Sequence, residues 1–150
     1  MTGDQRLVAW GDELVKLHDT FRRDLAALRA ALASTPPAAP PSGLPPALDL
    51  RTHCLAFCDA LHAHHEGEDN TLFPHLAAEH PGLAEVLTRL RAEHQVVARL
   101  LNRIRVLLDE GGAVTDEVHR LSRELEAHLD HEEEHLVPVL NRMTTLPDDI

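Results

Sequence analysis

The chain has 150 residues, 43% of them hydrophobic, with 25 acidic against 14 basic side chains and a formal charge of −11. A chain of this length buries about 68–70% of its unfolded surface, so it needs no staples, and its apolar content excludes intrinsic disorder. The acidic balance excludes a basic grip on nucleic-acid phosphates and a polybasic membrane anchor.

Taken from the N-terminus, Met1 to Arg6 carries acid early and has no apolar signal core behind it. No stretch approaches the ~20 apolar residues of a membrane span. The expectation is one soluble cytoplasmic domain over residues 1–150. The first segment, about 4–33, carries Leu7, Leu14, His18, Phe21, Leu25, Leu28 and Leu32 at steps of three and four, with Gly11 at the missing step. The Pro-rich stretch 34–46 is a stiff connection that no helix crosses. The second segment, about 47–78, carries Leu50, Cys54, Phe57, Leu61, His64, Glu68 and Leu72. Cys54 and Cys58 lack a CxxC spacing and a partner pair, so they read as small buried thiols.

Pro81-Gly82 breaks the chain before a third segment, about 82–109, with Leu83, Leu87, Leu90, His94, Val97, Leu101, Ile104 and Leu108. Gly111-Gly112 breaks it again before a fourth, about 115–142, which starts on Thr115-Asp116-Glu117 with acid in its first turn. Its stripe is Val114, Val118, Leu121, Leu125, His128, Glu132, Leu136 and Val139. Such spacing means amphipathic helices packed side by side. The predicted fold is all-α, an antiparallel up-down-up-down four-helix bundle. With no Tyr, one Trp and three Phe, its core must be built from Leu, Val and Ala.

The chain also repeats. His64-x-x-x-Glu68 with Pro74 recurs 64 residues later as His128-x-x-x-Glu132 with Pro138. The second and fourth helices are therefore equivalents in two helical hairpins. Polar residues interrupt the apolar stripes at one level: His18, His64 with Glu68, His94, and His128 with Glu132. A pair at i and i+4 lies on one helix face, so antiparallel packing can gather all six side chains at one point. Burying two carboxylates and four imidazoles uncompensated costs many kcal/mol; a bound cation turns them into ligands. Six nitrogen and oxygen ligands are too many for one tetrahedral zinc and suit iron or manganese, with carboxylates bridging two ions.

The remaining eight of the 12 histidines read mostly as bystanders. His53, His62, His65, His80, His119 and His131 fall off the stripes and are expected to be solvated or flanking, as is His75 near a helix end. His135, three after Glu132, stays near the stripe. It is a fifth nitrogen ligand, a partner of a ligand, a proton donor to a bound oxygen species, or a histidine at the bundle edge.

At these positions the sequence resembles the hemerythrin-like, or HHE cation-binding, family over nearly its whole length. The resemblance rests on His18, on His64 and Glu68 with Leu72-Phe73-Pro74, on Glu93-His94, and on His128 and Glu132 with Pro138. It implies a non-haem di-iron centre, oxo- or hydroxo-bridged and spanned by Glu68 and Glu132, ahead of manganese or zinc. The oxygen-carrying members have a second histidine one turn away on the third helix, where this chain has Leu90 and Ala98. They also carry an Asp at a five-residue step on the fourth helix, where this chain has Glu132 at four. Two octahedral irons offer about twelve positions, and four His, two bridging Glu and a bridging oxygen fill about ten. A fifth histidine leaves about one open.

The expected function is binding of O2, peroxide or nitric oxide for sensing or protection, with peroxide decomposition as the catalytic version of the same site. Iron storage or a metal-dependent interaction module is the alternative. The expected partner is that small diatomic or peroxide ligand, with no nucleic acid and no membrane; a protein partner is not readable. No nucleophilic triad, phosphate loop or dinucleotide fingerprint is present.

Overall fold

The computed structural model of the chain describes residues 9–33 and 46–143. Residues 4–8 of the first expected helix and 34–45 of the expected connection lie outside the described residues. Helix α1 is Trp10–Ala33 and α2 is Pro46–Gly67; a π-helical turn, Glu68–Leu72, carries α2 into α3, Phe73–Glu79. A short 3-10 turn, Pro81–Leu83, leads into α4, Ala84–Asp109, and α5 is Thr115–Asn141. Gly67, Leu72 and Phe73 all keep right-handed helical angles, so α2 and α3 form one rod. The described residues hold four helical rods and no strand, an all-α four-helix bundle.

The direction of packing follows from the pairs that meet. Rising numbers on α1 meet falling numbers on α5: Gly11 with Asn141 at 2.7 Å, His18 with Glu133 at 2.7 Å, and Arg29 with Ser122 at 3.2 Å. Arg51 reaches Asp109 while Arg91 reaches Asp69, so α2 and α4 are antiparallel too. Each rod therefore opposes its neighbours, as the short connections require. The α4–α5 turn closes with Gly112 N on Leu107 O at 2.8 Å and Gly111 N on Leu108 O at 3.2 Å. Gly111 has φ +72°, a conformation that glycine adopts without a Cβ clash.

The buried apolar residues form two clusters. One contains Phe21, Leu25, Phe57, Leu61, Leu101, Ile104 and Leu125. The other contains Leu72, Phe73, Leu76, Leu90, Leu136 and Leu140, with Trp10 and Leu14 against it. Cys54 and Cys58 are free and buried in the first cluster, as expected. Buried polar residues include His18, His65, Glu68, His94, His128 and Glu132, and Phe73 of the second cluster stacks on His94. Among the described residues no helix is long and apolar enough to cross a membrane.

Candidate metal centre

The polar level of the stripes is one buried layer. Its ligating atoms fall into two sets, each with all atoms within 4.8 Å of one another: His65, Glu68, His94 and His128, and His18, His64, Glu68 and Glu132. Glu68 belongs to both. Glu132 spans them as well, since its Oε2 lies 3.0 Å from His128 Nε2 and its Oε1 3.8 Å from His18 Nε2. The bundle thus brings together His18, His64, Glu68, His94, His128 and Glu132, the six residues that interrupt the stripes.

His65 corrects the sequence reading. Expected among the solvated or flanking histidines, it is 4% exposed and stacked on His94, ring centroids 3.9 Å apart. It precedes Glu68 by three residues and His64 precedes it by four, and both spacings put side chains on one helix face. A stripe that admits one residue per turn counts only one of two adjacent histidines. Its repeat equivalent, 64 residues on, is the buried Leu129. The two ligand sets are therefore unequal, with three histidines in one and two in the other. His135 joins neither set; it is half-buried and packs edge-on against His131 at 4.8 Å.

Carboxylates fix the imidazole orientations. Asp69 accepts from His94 Nδ1 at 2.8 Å, Glu133 from His18 Nδ1 at 2.7 Å, and Glu93 from His128 Nδ1 at 2.8 Å. A proton on Nδ1 leaves the Nε2 lone pair facing the layer, the tautomer a metal ligand needs. Asp69 and Glu133 directly follow Glu68 and Glu132 and are themselves 64 residues apart. The repeat therefore extends one residue beyond Glu, and each hairpin locks a histidine of the other. His131, expected to be a bystander, shares Glu93 at 3.0 Å. Arg22 holds Glu133 at 2.9 Å.

Facing inward, five Nε2 atoms (His18, His64, His65, His94, His128) and both oxygens of Glu68 and Glu132 are buried without a well-aligned hydrogen bond, although Glu68 lies 3.1 Å from His94 Nε2 and 3.3 Å from His64 Nε2. Orphaned polar atoms in such number are foreign to a folded core unless something binds them. Burial pushes the pKa of His18, His65 and His128 down, which keeps these imidazoles neutral. Burial and the adjacent Glu68 carboxylate push Glu132 up. Burial opposes ionisation of Glu68 too, but His64 and its other neighbours hold it well below the usual carboxylate range. Imidazoles around two carboxyl groups, nitrogen and oxygen without thiolate, fit cations of the iron and manganese class.

The π-helical turn shapes one wall. Phe73 N donates to Glu68 O, five residues back. Pro74, next in line, has no N–H to give. The extra residue brings Phe73 inward, where it is 0% exposed and stacks on His94 at 5.4 Å. Single π turns recur at functional sites.

A family model described as the hemerythrin HHE cation-binding domain matches residues 11–140, which include every residue of both ligand sets. Comparison with curated proteins and with solved structures gave no match.

Proposed function

Since the chain belongs to the hemerythrin HHE cation-binding family, we propose that it holds two non-haem iron ions and binds one small oxidant, O2, nitric oxide or peroxide, for sensing or protection. The observation that carries this reading is the group of buried Nε2 and carboxylate atoms without well-aligned hydrogen bonds, in two sets that share Glu68. When bound, the ions supply electrons and a Lewis-acidic position for a small ligand. The residues do the rest. Glu68, Glu132 and the five Nε2 atoms would hold the ions, and Asp69, Glu93 and Glu133 keep His94, His128 and His18 aimed inward.

The ligand count narrows the chemistry. Five histidines and two carboxylates that each gave an oxygen to both ions would, with one further shared oxygen, occupy about eleven of twelve octahedral positions. That would leave about one position, on the side of His18 and His64, which has two histidines against three. One position favours binding of a single small ligand over turnover of peroxide.

An apolar cavity of about 270 Å³ borders that same side, lined by Trp10, Leu14, Leu17, His64, Glu68 and Leu72 among others. Its walls admit a small neutral molecule and disfavour charged ones. Trp10 Nε1, buried and without a partner, is a spare donor in that wall.

Metal analysis with an optical spectrum checks the reading. Protein loaded anaerobically with ferrous iron is expected to retain about two irons per chain and to gain visible absorption on exposure to O2 or peroxide. Protein that retains no iron after such loading would sink the reading.

A further inference from the structure

The ligand layer has a second opening, and it is the more polar of the two. A cleft of about 90 Å³ lies between α2 and α4, lined among others by His62, Glu66, Asp69, Gln95, His65 and His94. At its outer rim His62 Nε2 meets Glu66 Oε1 at 2.9 Å, with side chains 44% and 59% exposed. At its inner end His65 and His94 are 4% and 2% exposed, and neither Nε2 atom has a well-aligned hydrogen bond. Asp69, 25% exposed and bonded to His94 Nδ1 at 2.8 Å, stands between rim and floor.

Building on the two-ion reading, we propose that this cleft is the loading port through which a divalent cation reaches the layer, with His62 and Glu66 as its first, transient ligands. The cavity beside His64 offers a hydrated dication a mostly apolar wall, with Glu13 the one charged side chain before Glu68, so most of the water shed there is not replaced, which is costly. Along the cleft each shed water is replaced by a nitrogen or oxygen. Glu66 and Asp69 also concentrate cations at the mouth, and such steering raises association rates by about 10–10³-fold. The ion then passes from an exposed His/Glu pair to the stacked His65 and His94 and the Glu68 carboxylate. The two openings divide the work: the polar one takes the ion, and the apolar one takes the neutral ligand.

Stopped-flow loading of the metal-free chain with cobalt(II), read by visible absorption, tests the port. The double variant His62→Ala/Glu66→Gln alters only exposed side chains. It is expected to load roughly tenfold more slowly, at the low end of the steering range, and to reach the parental stoichiometry and spectrum. Glu124→Gln, which removes the same charge from an exposed site on α5, is expected to load at the parental rate. Parental loading by the double variant, or equal slowing by Glu124→Gln, overturns the port. A parental protein that takes up no cobalt at all overturns instead the two-ion reading on which it rests.

Discussion

His65 sets the two groups of candidate ligands apart. Its repeat equivalent is Leu129, and the equivalent of Glu93, the carboxylate beside His94, is Leu17 beside His18. The repeat is thus broken twice. His65 completes a three-histidine set on one side, and Leu17 opens the apolar cavity on the other. Replacing His65 with Leu makes the hairpins equivalent at this position and leaves an apolar side chain in a buried site. We expect the variant to fold, to keep one ion as tightly as the parent, and to lose the other at least tenfold more readily, since loss of even a supporting partner costs about 10–100-fold. Iron per chain after a chelator wash should fall from about two to about one; unchanged retention would contradict His65 as a ligand. The sequence made the i, i+4 His/Glu pairs legible because one helix turn separates their members. It hid His65, Asp69 and Glu133, and showed Glu93 only through the family resemblance, because each is adjacent to a ligand, and a stripe at helical period reads adjacent residues as facing elsewhere. The reach of a long side chain erases that difference.

At the scale of the helices, position and direction were legible, since Pro and Gly mark the breaks and steps of three and four mark the inner faces. The π turn was not: it adds a residue, which moves Phe73 onto a face that regular counting assigns to Leu72 alone. Gly11 shows why a stripe can tolerate a missing side chain. A Cβ there would lie 2.6 Å from Val137 O and 2.8 Å from Val137 Cγ1, so α1 and α5 approach closely at this point. Asn141 Oδ1 uses the approach, accepting from Gly11 N at 2.7 Å and Asp12 N at 3.2 Å, and so caps donors that a helix start leaves free. Gly67 is the contrast, helical with nothing within 4 Å of its Cβ position. Gly→Ala in a helix ordinarily gains about 0.5–1 kcal/mol. Gly67→Ala is therefore expected to stabilise by that amount, whereas Gly11→Ala should lose about 1–3 kcal/mol to overpacking. Urea unfolding of the two variants checks the opposite signs; a stabilising Gly11→Ala would mean that α1 and α5 do not meet as described.

For the molecule as a whole, a layer of buried polar residues in contact with both apolar clusters makes stability depend on protons and metal together. Burial lowers His18, His65 and His128 from the ordinary value of 6.5. As pH falls through 6.5 the unfolded chain gains three protons that the folded layer refuses, so folding loses up to about 1.4 kcal/mol per pH unit for each histidine. Glu132 acts the other way. Its folded carboxyl, raised above 4.5, keeps a proton that the unfolded chain has released, which favours the fold as pH falls toward 4.5. Glu68, held well below 4.5, adds its loss only in stronger acid. Three groups outweigh one, so the metal-free protein is expected to melt at a lower temperature at pH 5.5 than at pH 7. Bound ions reverse the ledger near neutrality: they need the same neutral imidazoles and ionised carboxylates, and they stabilise by RT ln(1 + [L]/Kd), about 2.7 kcal/mol at a hundredfold excess over Kd. Loaded protein should therefore melt higher at pH 7, and its advantage over the metal-free chain should shrink as acid returns protons to the ligands. Thermal melts of both forms at the two pH values test this, and a metal-free melting temperature that rises toward pH 5.5 would show that the layer does not bury neutral histidines.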